Sequence, residues 1–306
     1  MRNNCWRVFS ALILTGCVSS TRPVVKIALV APFEGRYREL GYEVITAARL
    51  AVREANASAP PSSPMITLVA FDDQGDPVRA TEQARKVSAD DEIVAVVGHW
   101  LEETSAAAVP VYTARQLPVI VTASAVPDHP GVFHAYPSSA ALDDVTHTLG
   151  PTVSYCACGV ELSSTESTAA ATGDLLGPSV WALDQFWRLN EIEGARFVAP
   201  VSFPQDITAA AAFRHEFTAA SAAGAPGPHA TLAYDIVNML AAAIRSASAG
   251  RGAPPRAKVA VTLANFSWEG LAGAYAFDEN GRLSAQLAHV YEWRSGTVLE
   301  VPLASR

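Results

Sequence analysis

Cysteine is scarce: the 306-residue chain has four, at positions 5, 17, 156 and 158. That excludes a disulfide-built scaffold, which needs many closely set cysteines. Charged residues make up only 17%, with Lys and Arg numbering 22 against 30 Asp and Glu, a formal net charge of −8. No basic patch is visible. Phosphate neutralisation requires clustered Lys and Arg, so a general nucleic-acid partner is excluded. Gly 19 and Pro 20 are too few for a collagen-like or low-complexity chain, and 50% hydrophobic residues exclude disorder. No apolar run reaches the roughly 20 residues of a spanning helix. Catalytic signatures are also missing: no Gly-x-Ser-x-Gly elbow, no His-Glu-x-x-His, no Walker loop. The seven His residues (99, 129, 134, 147, 215, 229, 289) are scattered without metal-ligand spacing, and each reads as a surface or satisfied core residue. The acidic loop 72–76 lacks EF-hand spacing. Neither an enzyme nor a metal or other cofactor is expected.

What is present begins with an address. Arg2 and Arg7 flank a brief apolar stretch at 8–14, followed by small residues, the pattern of an export signal. Leu14-Thr15-Gly16-Cys17 resembles a bacterial lipobox, so residues 1–16 are expected to be cleaved and Cys17 to carry lipid. The location expected is extracytoplasmic, held to the envelope membrane by an acyl anchor. Cys156 and Cys158 then remain, one residue apart. Pairing so close is expected to be strained, and further metal ligands are lacking, so two small apolar residues is the reading.

The segment after the signal alternates. Residues 24–31 are β-branched and suit a buried parallel strand. Residues 42–56 place Val44, Ala47, Ala48, Ala51 and Ala55 on one helical face. A strand follows at 65–71, then a helix capped by Asp76 with Pro77 at its first position. A strand at 93–97, an Ala-rich helix around 104–115 and a strand at 118–122 complete the series. Such β-α-β-α order argues for a doubly wound parallel sheet, with ligands bound beyond the carboxyl ends of its strands. Those ends are the loops 32–41, 72–76, 98–104 and 122–127. The middle is less regular. Residues 163–173 read as a loop, 180–190 are dense in aromatics, 197–201 read as a strand and 209–223 as a helix. A Gly-Pro-Gly break at 224–228 precedes a helix at 231–247, and short strands are expected at 274–278, 288–293 and 297–301. Asp235 reads as a structural anchor on that helix.

Several ordered stretches resemble a known family: KIALVAPFEG (26–35), FDDQGDPVRATEQARKVSADDEIVAVVGH (71–99), LPVIVTASA (117–125), PGPHATLAYDIVNMLAAAI (226–244) and WEGLAGAYAFDENGRL (268–283). They are similar to the type I periplasmic solute-binding proteins, especially the leucine/isoleucine/valine-binding group that serves ABC importers. The resemblance implies an α/β fold of two Rossmann-like lobes, each a parallel sheet flanked by helices, with a small ligand between them. It implies a first lobe of residues 24–138 plus 229–273 and a second of 139–228 plus 274–306. The stretch 139–228 is too short for a complete doubly wound lobe, so the second is expected to be truncated.

By that resemblance an amino-acid-like or amide ligand would meet the loops after the third and fourth strands, and an ABC permease would be the partner. The residues carried over are Thr104 and Ser105, then Thr122, Ala123 and Ser124. Thr104 or Ser105 equally suits a helix cap, and one residue can do both. Val126 stands where the family often has Thr, which removes a hydroxyl. Glu102 and Glu103 read first as a solvated helix start; the other reading is a cleft that prefers an amine or cation. Tyr37 and Trp100 are candidates for stacking on a ligand, whereas Trp181 and Trp187 suit the core of the small lobe. Asp184 is placed as a further cleft residue. The rival function is a non-transport sensor or envelope interaction module on a degenerate version of this fold.

Overall fold

The computed structural model describes residues 22–221, 224–248, 253–283 and 288–303. The export signal and Cys17 lie outside them. The first part of the chain runs β1 (Val24–Ala31), α1 (Arg38–Ala57), β2 (Met65–Asp72), α2 (Pro77–Ala89), β3 (Ile93–Val97), α3 (Glu102–Thr113), β4 (Val119–Val121) and β5 (Val132–His134). Its five strands form one sheet in the order β2-β1-β3-β4-β5, and every pairing is parallel. All of β3 and nearly all of β1 are buried, as expected of strands covered on both faces. Asp76 caps α2 by accepting from Arg79 N at 2.8 Å, ahead of Pro77.

The chain then continues as α4 (Ser139–Leu149), β6 (Ser154–Tyr155), α5 (Ser164–Thr172), β7 (Leu175–Gly177), α6 (Asp184–Asn190), β8 (Arg196–Ala199) and α7 (Ala211–Ala220). It returns as α8 (Pro228–Ala247), α9 (Arg256–Ala264), β9 (Ser267–Glu269) and β10 (Ala274–Ala276), and ends with β11 (His289–Arg294) and β12 (Thr297–Glu300). The second sheet has the order β12-β11-β8-β7-β6. Only β6, β7 and β8 are parallel, and they are two, three and four residues long. The C-terminal hairpin β11–β12 supplies the other two strands, antiparallel. This short parallel core is the physical content of a truncated second lobe.

Helix α8 is buried nearly all round and packs against α1, whose inward face is Val44, Ala47, Ala48 and Ala51. The seam is fixed by polar contacts too. Glu43 Oε1 accepts from Gly227 N and Ala230 N, both at 2.9 Å, and so satisfies the start of α8. Asp235 anchors the chain after β9 by accepting from Leu271 N, Ala272 N and Tyr275 Oη at 2.8, 2.9 and 3.0 Å.

The second sheet is held by aromatic residues. Trp181 stacks on Phe186 with ring centroids 4.5 Å apart, and Trp187 stacks on Trp293 at 5.5 Å. Both buried indoles find acceptors: Trp181 Nε1 donates to Gly159 O and Trp293 Nε1 to Trp181 O. Trp181 lies across Gly177, where an added Cβ would stand 2.1 Å from its ring.

The structure departs from two expectations. Residues 163–173 are not a loop: α5 occupies them, opened by a capping box in which Ser163 and Glu166 bond reciprocally, and closed by Gly173 at φ 78°. The structure also pairs Cys156 with Cys158 as a disulfide. Their Cα atoms are 5.2 Å apart, inside the usual range for a bridge. Glu166 reaches the neighbourhood of both sulfurs, but its carboxylate serves the α5 cap and the sulfurs hold each other.

Candidate functional site

A cavity of about 500 Å³ lies between the two sheets. The first sheet contributes loops that follow its strands: Arg36 and Tyr37 after β1, Gln74 to Asp76 after β2, Trp100 to Glu103 after β3, and Thr122 after β4. The second contributes Tyr155 at the end of β6, then Ala157 to Gly159 and Glu161, and Pro178 to Val180 after β7. Tyr136 stands where the chain crosses between the sheets. Parallel strands direct their carboxyl ends, and hence their connecting loops, to one edge, and here the two edges face each other.

The first sheet's wall rests on a buried polar network. Asp73 Oδ2 lies 2.6 Å from His99 Nδ1, and His99 Nε2 lies 3.1 Å from Tyr112 Oη; all three residues are fully buried. Asp73 Oδ1 also accepts from Gly75 N at 2.9 Å, which shapes the turn into α2. The His99 carbonyl accepts from Ser105 Oγ, Thr122 Oγ1 and Thr122 N at 3.1, 3.2 and 3.3 Å. One histidine thus ties together the loops after β2, β3 and β4. Burial pushes the Tyr112 phenol far above its ordinary range, with Asp73 adding to the effect, so Tyr112 stays a neutral partner. At Gly98, with φ 113°, a Cβ would stand 2.1 Å from Val30 O, so only glycine lets this loop lie so close to β1.

The structure distributes the sequence-derived candidates unevenly. Tyr37, Trp100 and Thr122 line the cavity. Thr104 and Ser105 do not: both are fully buried, and their hydroxyls donate to Leu101 O and His99 O. They hold the loop's shape. Ala123 is fully buried among the apolar side chains behind the wall. Ser124 is engaged by Glu102: Glu102 Oε1 accepts from Ser124 N and Ser124 Oγ, both at 2.6 Å, and Oε2 from Ala125 N at 3.1 Å. Glu102 is therefore not a solvated helix start but a carboxylate docked on the loop after β4.

Asp184 is the candidate that the structure sets apart. It opens α6 and lines a separate cavity of about 300 Å³ with Glu39, Glu43 and Arg188. Burial raises its carboxyl above the usual range; Arg188 opposes this, and Glu39 and Glu43 add to it. The turn of Ser179–Ala182 brings Val180 to the inter-sheet cavity and sends Asp184 elsewhere. Sequence reasoning also passed over Arg36, Asp76, Tyr136, Tyr155 and Glu161. Arg36 and Asp76 lay in loops already marked as strand ends. Tyr136, Tyr155 and Glu161 carried no signal: Tyr136 lies in the short link between β5 and α4, and β6, which ends at Tyr155, is only two residues long. Tyr136 Oη accepts from Ser179 N at 3.2 Å across the sheets. Burial raises the phenols of both Tyr136 and Tyr155, and the nearby Glu102 charge adds to each.

Two facing sheets with a cavity at the carboxyl ends of their parallel strands define a two-lobed solute-binding fold. Residues 24–154 match the model of the family described as Periplasmic binding protein. No curated protein matches the sequence. Solved structures are similar over nearly the whole chain. LivJ, the branched-chain amino acid transporter substrate-binding protein of Streptococcus pneumoniae, solved with isoleucine, is 18% identical, with a TM-score of 0.70 over 91% of this chain and 100% of its own. A solute-binding protein of R. palustris, solved with benzoate, is 17% identical, with a TM-score of 0.71 over 92% of this chain and 96% of its own. A possible leucine/isoleucine/valine-binding protein of Rhodopirellula baltica is 15% identical, with a TM-score of 0.70 over 95% and 100%. Residues 24–154 thus resemble the periplasmic binding protein family in sequence, and the chain shares the fold of solved structures such as LivJ. The first two of these structures are named as substrate- or solute-binding proteins, and the third as a possible one.

Proposed function

We propose that this chain is an extracytoplasmic solute-binding protein, anchored by lipid at Cys17, that captures a small polar ligand for the permease of an ABC importer. The observation that carries the reading is the inter-sheet cavity, walled by loops from both sheets. The lobes would be residues 24–138 plus 229–273 and residues 139–228 plus 274–306, meeting at that cavity. Tyr37, Trp100 and Thr122 would touch the ligand, while Thr104, Ser105 and Ser124 would hold the wall. Thermal unfolding of the chain begun after Cys17, against amino acids, amides, short peptides and polyamines, tests it. A ligand at 100 times its Kd adds ~2.7 kcal/mol to stability, a clear rise in Tm. No rise across the panel, with the protein folded, would remove the reading. The anchor is tested separately: Cys17→Ser should move the chain from the membrane fraction to the aqueous one.

The short parallel core of the second sheet favours one rival, a sensor or envelope interaction module that does not feed a transporter. Ligand-dependent capture of the chain by a permease complex would argue against that rival.

A further inference from the structure

We infer that the Cys156–Cys158 bridge is a redox switch in the cavity wall: a dithiol reductant opens it while the fold stands, freeing the stretch of wall that the bridge holds. The effect on binding rests on the solute-binding reading; the switch itself does not. Ala157, Cys158 and Gly159, which follow β6, all line the cavity. Cys156 N still donates to Leu176 O at 3.0 Å, so the chain is fixed to the second sheet up to that residue. It is fixed again at Gly159 and Val160, whose carbonyls accept from Trp181 Nε1 at 3.0 Å and Asn190 Nδ2 at 2.8 Å. Between these anchors, among the described residues, Ala157 and Cys158 make no backbone–backbone hydrogen bond; Cys158 N donates to Cys156 Sγ at 3.0 Å.

The same loop reaches across the cavity. Gly159 lies so close to Tyr37 that an added Cβ would stand 2.7 Å from Tyr37 Oη. Glu161 pairs with Arg36 at 3.3 Å. Both partners belong to the loop after β1, so a shift at 157–159 is felt where the two walls meet.

Two features let the bridge open without the fold. A single residue separates its cysteines, and so small a ring takes little entropy from the unfolded chain, so breaking it leaves the fold nearly as stable. Both cysteines are half-buried and Ala157 between them is exposed, and exposed bridges are the labile, regulatory ones. In the step, a thiolate of the reductant attacks Cys158 Sγ, the bond to Cys156 Sγ breaks, and the reductant's second thiol then displaces Cys158 to close its own disulfide. The reductant's two protons end on the cysteine sulfurs. Glu166 lies within 4.8 Å of both sulfurs, and its charge disfavours thiolates there, so the opened pair rests as neutral thiols. Two thiols need van der Waals separation instead of a bond, and Cys158, on the cavity side, is the freer to move.

The test treats the ¹⁵N-labelled chain begun after Cys17 with dithiothreitol in native buffer, counts free thiols by alkylation and follows the backbone by NMR relaxation. Both thiols should become free without denaturant, and the far-ultraviolet circular dichroism should stay native. Order parameters at Ala157 and Gly159 should fall from about 0.85 to below about 0.6, with those of the first sheet unchanged. The double variant Cys156→Ser, Cys158→Ser should show the mobile loop without reductant and ignore dithiothreitol. A bridge that opens only in denaturant, a chain that unfolds on reduction, or equal order parameters in the two states would overturn the inference. Calorimetric titration with leucine, glutamine and putrescine reads the effect on binding. A compound bound by the oxidised chain should bind the reduced chain about tenfold more weakly, and equal affinity would overturn the inference. Binding of none of the three would count against the solute-binding reading, while the order parameters would still decide the switch.

Discussion

Removing the Asp73 carboxylate should cost more stability than any surface change near the cavity. Asp73→Ala deletes two bonds at once, to His99 Nδ1 at 2.6 Å and to Gly75 N at 2.9 Å, in a place where both side chains are fully buried. Bonds to a charged group contribute about 1.5–3 kcal/mol each, so losing both should cost roughly 4 kcal/mol. At about 2–4 °C per kcal/mol for a chain of this order of size, Tm should fall by roughly 8–16 °C. Tyr112→Phe removes the other contact of the imidazole, 3.1 Å away, and should cost about 1–2 kcal/mol. The two substitutions share His99, so the double variant should lose measurably less than the sum. Differential scanning calorimetry of the four proteins is the assay. A fall below about 2 °C for Asp73→Ala, or strict additivity, would refute the claim that one buried network fixes the wall.

Asp235 predicts a pH dependence. Burial pushes its carboxyl up to about 6, opposed by the donors of Ala272, Leu271 and Tyr275. The native state therefore holds a proton that the unfolded chain releases near pH 4. Its contribution is fully present below about pH 4 and is lost as pH rises through about 6, by roughly 3 kcal/mol. Urea denaturation at pH 4.5 and 7 should show a smaller drop for Asp235→Asn than for the unsubstituted chain; equal drops would discount this group. Gly177→Ala would place a Cβ 2.1 Å from the Trp181 ring, so it should destabilise by about 1–3 kcal/mol and perturb the near-ultraviolet dichroism of Trp181. An unchanged Tm would mean that Trp181 moves freely aside. The Cys156–Cys158 bridge closes so small a loop that Cys156→Ser should cost only about 1.5 kcal/mol. Mass spectrometry after alkylation should find both thiols blocked in the unsubstituted protein, and free thiols there would contradict the pairing.

The first sheet was legible in the sequence because its strands are long, β-branched and buried on both faces, and its helices carry apolar faces at helical spacing. Asp76 before Pro77 marked one helix start without ambiguity. The second sheet was harder. Strands β6 and β7 are two and three residues long, too short for any period to register. Helix α5 buries only Ala170, so no amphipathic stripe set it apart from a polar loop. The Ser163–Glu166 capping box was the signal that could have identified it. At the site, strand-end loops were found by topology alone, and Tyr37, Trp100 and Thr122 lie on the cavity accordingly. What composition could not tell was direction. Thr104 and Ser105 turn inward to carbonyls, Asp184 falls beyond a tight turn, and Glu102 folds back onto a loop 22 residues away. Each depends on backbone path rather than on residue type.

A small ligand in the cavity between the sheets can be detected by native mass spectrometry of the chain begun after Cys17, mixed with amines, amino acids and amides, beside the same chain carrying Trp100→Ala. The expected result is a one-to-one complex with at least one of these compounds, lost or weakened about tenfold or more by the substitution. No complex with any member, or a complex untouched by Trp100→Ala, would contradict it.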